Sequence, residues 1–169
     1  ALPIYILMNR LVPWGMVFDP DKKLDFFSFS DGAHHVKYVG EVTDSNCEHF
    51  IKDKVIHRVP GWNGGTTYAD VLLENLVLFG WEEGDTSLHS DTISKRKQSI
   101  VSNVMGFFGF GKKEKSVPVP AETTKEKRRS LIIHVTDGET YDENNTYSLL
   151  SKMRNNGYKV YVQFFGMGI

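Results

Sequence analysis

Two short motifs carry residue types that could do chemistry. The first, Gly64–Ala69 (GGTTYA), is a glycine loop that leads into a helical pattern. The second, Thr136–Glu139 (TDGE), places a carboxylate directly after a short apolar run. In open α/β sheets, ligands bind outside the carboxyl ends of the strands. A hydroxyl and a carboxylate that meet there suit a hard divalent cation, which prefers oxygen ligands.

Both motifs also have a purely structural interpretation. The glycines could form a tight turn with Thr66 or Thr67 capping the next helix, and Asp137-Gly138 could be a turn after a strand. Taken singly, each structural interpretation is the commoner one, but the order and position of the two motifs together favour a site. A phosphate loop is excluded, because the lysine and the second glycine spacing of a P-loop are absent.

The elements that would position these motifs alternate between strand and helix. Because the strand patterns are apolar on both faces, the order predicts a mainly parallel sheet covered by helices on both faces. Val36–Val39 is either a short antiparallel neighbour of the first strand or a strand edge. The predicted strands are Leu24–Ser30, Leu131–Thr136 and Tyr158–Phe165, and the predicted helices are Cys47–Val55, Tyr68–Phe79 and Asn144–Asn155.

Composition restricts the class of protein. The 169 residues suit one α/β domain, and a net charge of −1 gives no electrostatic reason to bind nucleic acid or an acidic membrane. Cys47 is the only cysteine, which excludes an internal disulfide and a cysteine zinc cluster and favours a reducing, cytoplasmic compartment. No apolar stretch has the length of a membrane-spanning helix.

Residues 80–129 break the alternating pattern. This stretch contains basic clusters, the aromatic sequence Phe107–Phe110 (FFGF) and a Val-Pro-Val-Pro step. A connection this long is unusual inside a compact domain. We therefore predict that it is a flexible basic and aromatic insertion within a single domain spanning 1–169. A solvated linker is the commoner explanation of its charges, although they could also bind phosphate or an acidic partner.

The succession of motifs resembles the von Willebrand factor type A domains, most closely those of tellurium-resistance and related prokaryotic or phage proteins. The segments that carry the resemblance are LDFFSFS, VGEVTDSNCEHFIKDKV, GWNGGTTYADVLLENL and the stretch from LIIHVTDGE to VYVQFFGMG, a succession that leaves out 80–129 and the first residues. The resemblance implies a three-layer, Rossmann-like fold. It also implies a metal-ion-dependent adhesion site that holds magnesium or calcium.

The resemblance assigns Thr66 and Asp137 as metal ligands. The Asp-x-Ser-x-Ser loop, which supplies the other ligands in this family, is absent from the sequence. Ser28 and Ser30 cannot replace it, because they belong to the equivalent of the second strand. We therefore expect Mg²⁺ or Ca²⁺ to bind weakly or not at all, and the domain to be partial.

The first eighteen residues have two interpretations. Leu2–Met8 could be the family's first strand with its loop lost, or Ala1–Phe18 could be the end of the helix that follows that strand. We favour the helix. In this family the first strand lies centrally in the sheet, so its absence would leave two half-sheets with unpaired inner edges.

Three functions are compatible with these residues. The leading hypothesis is a non-enzymatic module that binds a protein partner through the carboxyl edge of the sheet, with a partner carboxylate completing the ion's coordination. The second is metal-dependent phosphoester hydrolysis, for which Glu139 is the only nearby candidate base. The third is a structural component of an assembly with a degenerate metal site. Outside these motifs, we expect His134 to be a packed, hydrogen-bonded core residue and His34-His35 to lie on the surface.

Overall fold

A computed structural model describes residues 2–19, 21–83, 127–136 and 139–166 of the chain. The three predicted strands and three predicted helices all form, with ends that differ from the predictions by at most two residues. In chain order the elements are α1 (Leu2–Phe18), β1 (Leu24–Ser28), β2 (Lys37–Val42), α2 (Cys47–Phe50, continued by a π-helical turn at Ile51–Val55), α3 (Ala69–Leu78), β3 (Ser130–Thr136), α4 (Glu143–Asn155) and β4 (Val160–Gly166).

The four strands belong to two small sheets within the described ranges. β3 and β4 pair in parallel, from Ser130 opposite Val160 to Thr136 opposite Gly166, and α4 connects them. β1 and β2 pair antiparallel, with an irregularity in register between Phe26 and Phe27. The prediction of a mixed α/β chain with a parallel strand pair is confirmed. The prediction of one mainly parallel sheet is met only in part, because β1 and β3 are not hydrogen-bonded neighbours here.

The first residues form a helix, as favoured from the sequence, and the alternative of a strand over Leu2–Met8 is wrong. Val12 and Met16, one helical turn apart, are buried on the same face of α1. Trp14, Val17 and Phe18 are exposed. No helix in the described ranges combines the length and the apolar character needed to span a membrane.

The interior is divided into two apolar clusters. One joins α1, β2 and α2, and the other joins α3 to the β3–β4 sheet and α4. Phe29, which directly follows β1, packs into the second cluster with its ring centroid 5.5 Å from that of His134. The buried members of the first cluster are Val12, Met16, Val42, Phe50, Ile51 and Val55, and those of the second are Tyr68, Leu72 and Ile132.

The two described ends of the 80–129 segment are joined to each other. Trp81 Nε1 donates a hydrogen bond of 2.7 Å to Arg128 O, and Arg128 N donates one of 3.1 Å to Phe79 O. Trp81 also stacks on Tyr158, whose hydroxyl donates to Glu82. Residues 84–126, including Phe107–Phe110, lie outside the described residues, so the prediction of a flexible insertion stays a prediction.

Candidate functional site

The glycine loop lies against the segment that follows β3. Thr66 O accepts a hydrogen bond from Tyr141 N at 3.0 Å and lies 3.4 Å from the oxygen of the Thr140 hydroxyl. The hydroxyl of Tyr68 donates to that of Thr136, the last residue of β3, at 3.1 Å. The loop therefore sits at the carboxyl end of β3, where the sequence placed it. Asp137 lies outside the described residues, so its pairing with Thr66 stays a prediction.

The hydroxyls of the two adjacent threonines differ in their hydrogen bonds. The Thr67 hydroxyl donates to Ser30 O at 3.0 Å and accepts from Gly32 N at 2.8 Å, which fixes it to the end of β1. The Thr66 hydroxyl takes part in none of the hydrogen bonds formed among the described residues, and its side chain is only partly buried. Within the described part of the chain, Thr66 is thus the threonine whose side-chain oxygen remains available to a ligand.

Close packing explains the glycines of the loop. A Cβ on Gly65 would lie 2.5 Å from Cε2 of Tyr141, so a side chain there would displace the exposed Tyr141 ring. A Cβ on Gly64 would collide with the Ser30 hydroxyl, which itself donates to Gly65 O at 3.0 Å. The glycine loop is therefore held between the turn after β1 and the segment after β3.

The carboxylate of Asp142 caps α3 from another part of the chain. Its Oδ1 accepts from Tyr68 N at 2.9 Å and its Oδ2 accepts from Ala69 N at 2.7 Å. The hydroxyls of Thr140 and Thr146 donate to the same carboxylate. The prediction that Thr66 or Thr67 caps this helix is wrong, because the Thr67 hydroxyl bonds to the end of β1 instead.

The environment of Asp142 favours its charged form. Partial burial alone would raise the pKa of the carboxyl, but the hydrogen bonds from Thr140, Tyr68 N and Ala69 N outweigh that effect and lower the pKa. The positive end of the α3 dipole acts in the same direction. Sequence patterns could indicate Asp142 only as the residue before α4. Its bonds to α3, 73 and 74 positions away, required the tertiary structure.

An aspartate–histidine pair occupies the turn after β1. His35 Nδ1 lies 2.8 Å from Asp31 Oδ1 and 3.0 Å from Asp31 O, both of which can only accept. Nδ1 therefore carries the proton, and Nε2 is the nitrogen free to act as a base. The hydrogen bond from His35 lowers the pKa of Asp31. The surface position expected for His34-His35 agrees with this turn, although the His35 side chain is 26% exposed rather than fully so.

His134 is buried in an aromatic cage. Its ring packs on those of Phe29, Tyr68 and Phe164, and the residue is 3% exposed. Neither ring nitrogen has a hydrogen-bond partner among the described residues, so the expected hydrogen bond stays a prediction, while the expected packed state is confirmed. Burial lowers the pKa of His134 to about 4, which keeps the ring neutral near pH 7.

In the described part of the chain, few side chains around the glycine loop could bind a metal ion. It contains no group of three or more His, Cys, Asp or Glu side chains that could hold a metal ion. Asp137 is not among these residues. Glu139, the candidate base, is exposed. In comparisons with known proteins, no family model, no curated protein and no solved structure matches the chain.

Proposed function

We propose that this chain is a von Willebrand factor type A-like module that binds a protein partner at the carboxyl end of β3, without catalysing a reaction. The observation that carries the proposal is the contrast between Thr66 and Thr67. The Thr67 hydroxyl is used to build the loop, whereas the Thr66 hydroxyl has no hydrogen-bond partner among the described residues and the Thr66 backbone contacts the segment after β3. A tellurium-resistance, stress or phage-related setting rests on the sequence resemblance alone.

The three-layer fold is part of the same proposal. Two buried side-chain groups lack a hydrogen-bond partner among the described residues, the Ser28 hydroxyl on β1 and the His134 ring on β3. A further strand between β1 and β3 would join the two small sheets into one, as in the family that the sequence resembles. Two-stranded sheets are marginally stable alone, which also favours a larger sheet.

The ion of such a site would be held by Thr66 and Asp137. Magnesium requires near-octahedral coordination and releases its water reluctantly, so two protein oxygens give low affinity. The residues present therefore fit a cation only in part. A carboxylate of the partner would supply a third oxygen and additional negative charge, which makes ion binding and partner binding mutually dependent.

Manganese is the appropriate probe, because its paramagnetism reveals weak binding. We expect a small amount of Mn²⁺ to broaden the amide resonances of 64–66 and 139–141 selectively, with an affinity in the millimolar range or weaker, and excess Mg²⁺ to reverse the effect. Thr66→Val and Asp137→Ala should each abolish the selective broadening. Thr43→Val, in the exposed turn after β2, is the control and should leave it unchanged.

The alternative outcomes contradict the proposal in different ways. Broadening that is absent, or that persists in both ligand variants, would remove the metal site. Micromolar affinity would mean that further ligands complete the coordination and that the site is not partial.

One observation favours a second function. The Asp31–His35 pair provides a histidine base on the turn that packs against the glycine loop. The sequence alone had indicated no convincing base near this site. Metal-assisted phosphoester hydrolysis would use His35 Nε2 to activate water. The test is hydrolysis of p-nitrophenyl phosphate in the presence of Mn²⁺. Activity in the parent chain that is lost in His35→Gln would favour a hydrolase over a binding module.

A further inference from the structure

The outward face of α1 is apolar over most of its length. On the inner face, Val12 and Met16 belong to the first apolar cluster. The side chains of the opposite face recur at helical spacing and are exposed to solvent. Of these, Trp14, Val17 and Phe18 are 48%, 80% and 65% exposed. The whole set, called the α1 stripe, consists of Ile6, Arg10, Pro13, Trp14, Val17 and Phe18, in which Arg10 is the only charge.

The charges towards the two ends of the α1 stripe are opposite, but they cannot meet within one chain. Arg10 takes part in none of the ion pairs formed among the described residues. Asp19 directly follows the helix, where the negative end of the helix dipole disfavours a carboxylate and the last turn holds no basic residue to offset it. Burial and the neighbouring Asp21 raise the pKa of Asp19. Nine helical positions span about 14 Å, so Arg10 cannot reach Asp19 of its own chain.

A second copy of the chain supplies the opposite charge that each of these residues lacks. In an antiparallel pair of α1 helices centred between Trp14 and Gly15, position 10 of each copy lies beside position 19 of the other. We propose that two copies of this chain associate through the α1 stripe in this arrangement. The rings of Trp14 and Phe18, whose centroids are 4.7 Å apart within one chain, then form the apolar centre of the interface. Because the arrangement is two-fold symmetric, both copies contribute the same surface.

The size of the α1 stripe predicts how strongly two copies associate. Its two aromatic and two aliphatic side chains offer roughly 400 Å² of exposed apolar surface, about half of what each partner buries in a standard interface. The ion pairs at both ends of the dimer would fix its orientation more than its affinity. We therefore expect a weak dimer that forms at high protein concentration and dissociates on dilution.

Sedimentation velocity on the 169-residue chain, from about 5 to 500 µM, tests the association. The weight-average mass should rise from that of one chain towards that of two. Val17→Glu places a charge at a position that is 80% exposed, and should weaken association at least about tenfold while leaving the thermal midpoint unchanged. Tyr147→Glu, at an exposed position of α4, is the matched control and should associate like the parent chain.

A charge reversal tests the antiparallel register. Arg10→Glu and Asp19→Arg each bring like charges together at both ends of the dimer, and each should weaken association at least about fivefold. The double variant restores opposite charges and should associate within about twofold of the parent chain. Because the two positions are too far apart to interact within one helix, such a recovery would arise between copies.

The other outcomes contradict the inference. The mass of a single chain over the whole concentration range would show that the α1 stripe does not join two copies. Association that persists in Val17→Glu would place the contact elsewhere, and a double variant as weak as the single ones would exclude the antiparallel register. Binding of the monomer to phosphatidylcholine vesicles, lost in Val17→Glu, would assign the stripe to a lipid surface instead. None of these measurements involves Thr66, so the proposed function stands or falls separately.

Discussion

The buried histidine of β3 should make the stability of this protein depend on pH. His134 has a pKa of about 4 in the folded chain, against an ordinary value of 6.5, because its aromatic cage excludes the charged ring from water. The unfolded chain therefore binds a proton at pH 5 that the folded chain does not. It follows that the free energy of unfolding falls as the pH is lowered from 6.5 towards 4 and is fully retained above 6.5.

The size of the effect follows from the two pKa values. Each tenfold change in proton affinity corresponds to about 1.4 kcal/mol, so complete protonation would cost roughly 3 kcal/mol, and about 2 kcal/mol of this is lost by pH 5. Urea unfolding at pH 7.5 and pH 5 measures it in the parent chain and in His134→Phe, which keeps a planar ring without a titrating nitrogen. Other groups titrate similarly in both proteins, so the difference between them isolates His134.

Two further results would show that the assignment is wrong. If His134→Phe loses as much stability as the parent chain between pH 7.5 and pH 5, His134 is not the group responsible. His49, an exposed histidine of α2, supplies the control. The pH dependence of His49→Gln is expected to follow that of the parent chain, and a change as large as that of His134→Phe would mean that burial is not the cause.

The remaining predictions concern the glycine loop and the 80–129 segment. Thr67→Val removes two hydrogen bonds to the end of β1 and should lower the free energy of unfolding by about 1–3 kcal/mol, whereas Thr66→Val should change it by less than about 0.5 kcal/mol. Urea unfolding measures the free energy of unfolding of both variants. Equal losses would contradict the conclusion that only the Thr67 hydroxyl stabilises the loop. Replacing residues 84–126 by a short glycine–serine linker should leave the thermal midpoint nearly unchanged, because Trp81 and Arg128 already hold the ends together. A large fall would show that Phe107–Phe110 belongs to the core.

The helices and strands were predictable because each depends mainly on the pattern of apolar residues within its own segment. The apolar run Leu131–Thr136 followed by Asp-Gly indicated β3 within one residue, and the spacing of Val71, Leu72, Asn75 and Leu76 indicated α3. All four of those α3 residues are buried. The carboxyl end of β3 was expected as the position of the glycine loop, because ligand-binding loops of open α/β sheets lie outside the carboxyl ends of the strands.

The tertiary contacts of the loop were not predictable in the same way. Thr67 was expected to cap its own helix, which is the local use of a threonine at that position. Its hydroxyl instead bonds to Ser30 O, 37 positions earlier, and the helix is capped by Asp142 from 73 and 74 positions later. The spacing of residues along a sequence does not indicate which of two possible hydrogen-bond partners a hydroxyl or carboxylate contacts in the folded chain. The aromatic surroundings of His134 were equally hidden, since a histidine within an apolar strand pattern gives no sign of its neighbours in the folded chain.

The division of the interior into two apolar clusters has a spectroscopic consequence. The three tryptophans fall in different places: Trp14 on the exposed side of α1, Trp62 against the first cluster, and Trp81 stacked on Tyr158 beside the β3–β4 half. Variants that keep only Trp62 or only Trp81 would give each half its own fluorescence signal. Coincident or separate unfolding transitions of the two signals would then measure how strongly the contacts of Phe29, Thr67 and Ser30 couple the halves into one cooperative unit.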